Sequence, residues 1–552
     1  MRTGAEMPLR ETAKNFSTRP CPADAPLEIS RRFAAIWLAI FLLACAALLY
    51  KQIAFSQIAT SDACGYYLPL ARAYAAGGAW QHPMVPPAYP LATGMLAERL
   101  AVTDDPHEFA GRIISAASVI GIVVCVYCIG WLLWSRRLGL AAAALTAVNP
   151  WIIRIGGNVG PSQMYGLFLC LAILFLVVYC QKPSLLAAVG AAVFSALAAL
   201  SRSEGIFMPL LALAVPILCV CRSWRRWLRA AGHVAVIIVV VLAAWWPRLS
   251  FMRAETGMYV LDVRVLQALP WTRNCVDRAW FKLPDQVESD RRERPYRRSH
   301  TAGEVFQEAA ESLVMVIGPV TWVLAGLWIV GRRKVPLRCA GQWIIAAVIV
   351  AQLAMVLPVK MDRRYVAAVA GPAQIWGGLG LIVLAERLRN VRSALRKLGE
   401  SISLQMVGVS VLAAALAAWS LSMTNVGTRH VELRDLGRLI RDSEQYGPGR
   451  VIMSITPEPV YYAGGKLALP PLTGRPNENF SPAEIRRSCR ANSVSLIVIR
   501  SRDRWAGWLL RRIASGELPA GALVAARTGG GRKPVTSYLI DAEKLFAPPD
   551  IP

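Results

Sequence analysis

The sequence predicts an all-α polytopic membrane protein with a small α/β domain at its C-terminal end. Three observations carry that expectation. The 552 residues are 55% hydrophobic and only 17% charged, where a soluble domain carries about 25% charged residues. The apolar residues fall in blocks long enough to cross a bilayer, which takes about 20 residues of helix. From residue 425 onward the blocks give way to short β-type runs and stretches of helical periodicity.

Residues 1–30 are polar and contain proline, and read as a disordered cytoplasmic tail. The membrane domain follows at 31–424. Its spans read as 33–50, 111–134, 138–153, 163–180, 184–200, 206–221, 232–247, 306–330, 340–357, 366–386 and 404–423, about eleven in all. No cleavage pattern follows the first block, so it is retained. Lys and Arg in the short loops set the orientation. With the N-terminus inside, the inner segments hold 18 of them and the outer segments 8. That bias puts the N-terminus in the cytoplasm. Eleven spans then put loop 51–110, loop 248–305 and the tail 425–552 outside.

In the tail, Val431–Ile440 has helical periodicity. Val451–Ile455 and Val494–Ile499 read as strands. Leu523–Ala525 and Val535–Ile540 flank Gly529-Gly530-Gly531 and read as a hairpin. Strands alternating with helix predict a small α/β domain.

A net charge of +26 could serve nucleic acid or anionic lipid. The basic clusters sit between apolar blocks, and no zinc-finger or RNA-recognition signature accompanies them, which argues for membrane lipids and against nucleic acid. The 12 cysteines form no framework. Cys125 and Cys128 form a CxxC inside a span with no second pair, and no His cluster has metal spacing, so no metal site is read. A disulfide among Cys64, Cys275 and Cys489 stays open. No Walker A or dinucleotide fingerprint appears, so no cofactor is expected.

The first outer loop holds the most chemistry. It carries Ser61-Asp62-Ala63-Cys64-Gly65-Tyr66-Tyr67, then His82-Pro83-Met84-Val85-Pro86-Pro87-Ala88-Tyr89-Pro90. Proline fixes φ and restricts such a loop. A carboxylate held there suits a general base acting on a hydroxyl. The alternative is that Asp62 only caps a helix beginning at Ala63.

This pattern resembles the lipid-phosphosugar-dependent glycosyltransferases of the C-type membrane fold. They include the protein O-mannosyltransferases, the lipid A aminoarabinose transferase and the core galacturonosyltransferases. The matching residues are Asp62, Tyr66, Tyr67, Ala71, His82, Pro83, Pro86, Pro87 and Tyr89, with Ala63 where a second acid is common. The resemblance continues through Gly160-Pro161-Ser162-Gln163, where Gln163 takes the place of an acid. It extends through Leu200-Ser201-Arg202-Ser203-Glu204-Gly205, Arg363-Arg364-Tyr365 and Glu458-Pro459-Val460-Tyr461-Tyr462-Ala463-Gly464-Gly465.

The resemblance implies a transferase acting on the outer face of a bacterial inner membrane. The donor would be a sugar on a polyprenyl phosphate, and the acceptor a lipid, glycan or protein. Asp62 would be the base. Tyr66, Tyr67, His82, Tyr89, Arg202, Glu204, Arg364 and Tyr365 would line the substrates. A lipid-phosphate leaving group departs as an anion, which positioned arginines stabilise. Arg202 and Arg364 are the first candidates, ahead of Arg154, Lys360 and Arg363. Snorkelling to headgroups or internal pairing is the competing role for each. A lipid-linked sugar flippase or a polysaccharide polymerase or ligase are the alternatives. The flippase is disfavoured because the charges lie at span ends and no internal repeat appears.

Overall fold

The computed structural model of the chain describes residues 29–55, 59–60, 62–78, 81–100, 105–218, 224–262, 302–330, 340–356, 363–396, 431–468, 480–529 and 535–547. The segment read as an eleventh span (404–423), most of loop 248–305, Cys275, Lys360 and the tip of the C-terminal hairpin lie outside them.

The described parts of the first ten apolar segments are helical. The helices are α1 (Arg31–Phe55), α2 (Leu68–Ala75), α3 (Ala88–Ala97), α4 (Pro106–Leu133), α5 (Arg136–Ala147), α6 (Pro150–Gly156), α7 (Ser162–Gln181), α8 (Leu185–Ser201), α9 (Phe207–Leu218), α10 (Trp224–Thr256), α11 (Ala302–Ile317), α12 (Pro319–Val330), α13 (Ala340–Val356) and α14 (Arg363–Arg396). Five of them, α1, α4, α7, α10 and α14, are each long and apolar enough to span a bilayer.

Two expected spans are not straight. The segment read at 138–153 is α5 and α6, bent by 59°, and the segment read at 306–330 is α11 and α12, bent by 91°. Both second helices begin on proline, which has no N–H to continue the ladder of the preceding helix. Asn149 joins the two breaks. Its Oδ1 accepts the Trp151 and Ile152 amides at 3.0 and 3.1 Å, capping α6. Its Nδ2 donates to the terminal carbonyls of α11, Val316 and Ile317, both at 3.1 Å. Gln374 of α14 also donates to Ile317 O and accepts from Thr321 of α12. Backbone groups released by the bends thus find partners within the bundle, as a bilayer demands.

The main core runs between α4, α7, α8, α13 and α14. It is built largely from Ala, Val and Ile, which lets the axes come close. Gly380 of α14 shows how close, since a Cβ there would lie 1.8 Å from Leu324 O of α12. Arg136 donates to Ile29 O, and Gln181 donates to Leu132 O. The start of α1, the α4–α5 junction and the end of α7 therefore share one end of the bundle.

The C-terminal domain holds α15 (Val431–Arg441), β1 (Val451–Met453), α16 (Glu458–Ala463), β2 (Lys466–Ala468), α17 (Pro482–Ala491), β3 (Leu496–Arg500), α18 (Gly507–Ser515), β4 (Leu523–Thr528), β5 (Thr536–Asp541) and α19 (Ala542–Phe546). Its five-stranded mixed sheet has the order β2-β1-β3-β5-β4. β1 runs parallel to β2 and β3, whereas β5 is antiparallel to β3 and β4.

Strand alternation feeds two cores. Ile497, Ile499 and Ile540 pack with Ile485, Cys489 and Leu509 on one face. Leu496, Val498 and Leu539 pack with Leu433, Leu436, Ile440 and Val460 on the other. The periodicity at 431–440, both strands and the hairpin are where the sequence put them. Helices α16, α17, α18 and α19 and strand β2 are additions. The edge strand β4 is largely exposed and carries a register shift between Leu523 and Ala525.

Candidate active site

Asp62 precedes a five-residue π-turn, Ala63–Tyr67, that leads directly into α2. Its side chain makes no capping bond to that turn. The carboxylate instead forms an ion pair with Arg364 at the start of α14, 302 residues away. Both side chains stay about half exposed. The first-loop acid and the Arg-Arg-Tyr motif, two separate sequence signals, therefore meet at one accessible point.

Around that point the cations divide into two kinds. Arg202 is buried and fully engaged. Its Nε and Nη2 donate to the two oxygens of Glu204 at 3.1 and 3.0 Å, and its Nη1 donates to Ser162 Oγ at 2.9 Å. Its guanidinium also lies 4.8 Å from the centre of the Tyr365 ring. Gly205 permits the turn that sets Glu204 back against α8, where a Cβ would come within 2.5 Å of the Ala198 carbonyl carbon. Arg363, by contrast, is exposed and Arg154 half-buried. Their guanidinium groups lie 5.2 and 5.1 Å from the same Trp151 ring. With Arg364 next along α14, three arginines gather at this end of the bundle.

A family model described as dolichyl-phosphate-mannose-protein mannosyltransferase matches residues 81–251. The fold matches that of ArnT from Cupriavidus metallidurans in the apo state at a TM-score of 0.57 and 14% identity, over 92% of this chain and 99% of that one. ArnT from the same organism bound to undecaprenyl phosphate matches at 0.55 and 13% identity, over 91% and 98%. The chain shares the fold of these ArnT structures. An archaeal oligosaccharyltransferase, AglB from Archaeoglobus fulgidus in complex with an inhibitory peptide and a dolichol-phosphate, matches at 0.50 and 12% identity, over 84% and 69%. No curated protein sequence matches the chain.

The other expected site residues occupy different depths. Tyr66 is partly exposed, and its ring centre lies 6.5 Å from that of His82. His82 is buried; its Nδ1 accepts the Met84 amide at 3.2 Å, and its backbone bridges to Val85. Tyr67 packs edge-on against Tyr89 at 5.7 Å. Tyr89, expected to touch substrate, is turned wholly inward. Its hydroxyl donates to Gly111 O and accepts the Gly160 amide, at 2.9 and 2.8 Å. It ties the proline-braced loop to α4 and to the approach to α7. Gln163 is likewise buried and donates to Ile152 O. Among the described residues no group of three or more His, Cys, Asp or Glu is gathered as metal ligands. Cys64 and Cys489 are both buried free thiols.

Sequence reasoning missed a second set of contacts, between the C-terminal domain and the first loop. Asp105 caps α4 through the Glu108 amide, pairs with Arg72 at 3.2 Å, and accepts from Tyr461 at 3.0 Å. Arg72 lies 3.9 Å over the Tyr461 ring. Tyr462 donates to Glu108 Oε2 and accepts the Ala59 amide, both at 2.9 Å. Glu108 also pairs with Arg112, whose Nη1 donates to Ile53 O at the end of α1. The run Asp105-Pro106-His107-Glu108 carries a helix-start signal, an N-cap followed by proline and by an acid three residues on. That signal marks where α4 begins and leaves its partner unspecified. The loop and the C-terminal domain share the end of the bundle opposite the start of α1.

Proposed function

We propose that the enzyme transfers a sugar from a polyprenyl-phosphate donor to a hydroxyl of a lipid, glycan or protein acceptor, on the outer face of a bacterial inner membrane. The pairing of Asp62 with Arg364, beside Arg154 and Arg363, carries this reading. Asp62 takes the acceptor hydroxyl proton as the acceptor oxygen attacks the anomeric carbon. The bond from that carbon to the phosphate oxygen breaks in the same displacement, with inversion, and the lipid phosphate leaves as an anion. Arginine suits that group because its planar fork matches phosphate oxygens.

Arg364 neutralises Asp62. An incoming donor phosphate competes for the same guanidinium, and its capture releases the carboxylate for the acceptor. The exchange costs little, because a half-exposed ion pair contributes at most about 1 kcal/mol. Arg202, committed to Glu204 and Ser162, supports Tyr365 and the start of α14 from below. Phosphate contact falls to Arg364 and its neighbours.

Mass spectrometry of glycolipids and glycoproteins from a deletion strain tests the reading. A glycan should disappear, return with the wild-type chain and fail to return with Arg364→Ala. Loss of one charge-assisted bond should weaken binding of undecaprenyl phosphate by on the order of 2–3 kcal/mol, or tens to hundreds-fold. An unaltered glycan profile in the deletion strain counts against the function. Unchanged lipid affinity in the Ala variant returns Arg364 to a headgroup role. Sidedness is tested by a reporter fused after Ala491, expected to report the outer side. A cytoplasmic signal there would overturn the outward assignment of both the C-terminal domain and the loop docked to it.

A further inference from the structure

We propose that Tyr462 of the C-terminal domain is a positioning residue for Asp62: it clamps the chain around the base, at Ala59 before it and against the π-turn after it, so that the domain sets the geometry of catalysis without touching substrate. The inference rests on Asp62 being the base. Asp62 itself is half exposed, but the next three residues, Ala63, Cys64 and Gly65, are buried. The C-terminal domain contributes much of that cover. Tyr461 and Tyr462 pack in one apolar cluster with Ala59, Ala63, Cys64 and Leu68. Pro457 stands so near Gly65 that a Cβ there would lie 3.3 Å from its Cγ.

Tyr462 adds direction to this packing. Its hydroxyl accepts the Ala59 amide three residues ahead of Asp62, and donates to Glu108. Burial, and then the Glu108 carboxylate, push the phenol well above its ordinary value, so it stays protonated and donating. Through Arg112 the same network reaches Ile53 O, so the chain on the α1 side of Asp62 is held at two points. A base misplaced by about 1 Å can lose on the order of a hundredfold in rate.

The test uses the full chain in lipid nanodiscs and three variants. Tyr462→Phe keeps the ring and removes the hydroxyl. Tyr446→Phe is the control, because Tyr446 donates to Asp541 at 3.0 Å wholly within the C-terminal domain. Asp62→Asn reports on the base. Amide hydrogen exchange over 59–67 should quicken about tenfold in Tyr462→Phe, the worth of one lost hydrogen bond, and stay unchanged in Tyr446→Phe. Restoration of the glycan in the deletion strain should slow by a similar factor in Tyr462→Phe alone of the two Phe variants. Affinity for undecaprenyl phosphate should hold in both. Unchanged exchange, or quickened exchange with normal restoration, overturns the clamp, as does an equal loss in Tyr446→Phe. Normal restoration by Asp62→Asn instead overturns the base beneath it, so the two failures are told apart.

Discussion

Asp62→Asn should leave a folded enzyme that binds donor lipid and transfers almost nothing. The substitution keeps the shape of the side chain and one oxygen able to accept from Arg364, and it removes the basicity. General-base catalysis is worth roughly 10²–10⁴-fold, so turnover should fall by that factor while thermal stability barely moves. The half-exposed ion pair adds little to stability, and Asp62 makes no capping bond that the variant could lose. Steady-state transfer and a melting curve on the same preparation check both halves. Transfer near the wild-type level would remove Asp62 from the mechanism. With Ala63 and Gln163 at the two other positions where the resembling enzymes carry acids, the site would then lack an evident base.

Glu204→Ala should produce the opposite pattern, a large loss of stability. The Arg202 and Glu204 side chains are 8% and 10% exposed, and Arg202 gives Glu204 two of its three hydrogen bonds. Removing the carboxylate strands a buried guanidinium. Breaking a buried pair from one side costs about 3–5 kcal/mol, enough to lower the melting temperature by many degrees. Thermal unfolding in detergent would show it, and an unshifted midpoint would refute the structural role given to Arg202. The experiment also separates two uses of that arginine. If Arg202 contacted the donor phosphate, releasing it from Glu204 should tighten binding of undecaprenyl phosphate. If it is committed to the fold, lipid affinity should not improve.

These two residues illustrate what a single sequence discloses. Spans and strands were legible because apolar periodicity is local, and the α/β tail declared itself by its alternation. The acid and the Arg-Tyr motif were each visible at their own positions. Their meeting was not, because 302 residues of chain separate them and no local pattern records which helix ends adjoin. For the same reason Arg202 and Arg364 look alike as basic residues at span ends. Burial and partners distinguish them, and both are properties of the packed bundle. The bends at 148–150 and 318–319 were not read from the sequence. The prolines were in view, but Asn149 looks like a local cap until the α11 carbonyls arrive beside it. The depth of Tyr89 was hidden too, since a tyrosine reads the same whether its hydroxyl meets a substrate or Gly111 O.

The margins of the C-terminal sheet bear on how these molecules behave when crowded. A bilayer confines neighbours to two dimensions and presents their extramembrane domains to one another at a common height, where an open sheet edge invites strand exchange between copies. Among the described residues one margin is β2, of three residues. The other is β4, whose ladder is broken between Leu523 and Ala525 and whose exposed end bears Arg527. A short strand, a bulge and a charge are the devices by which natural sheets refuse a foreign strand. Each molecule thus keeps its sheet to itself, and the domain remains available for the contact it makes with its own first loop.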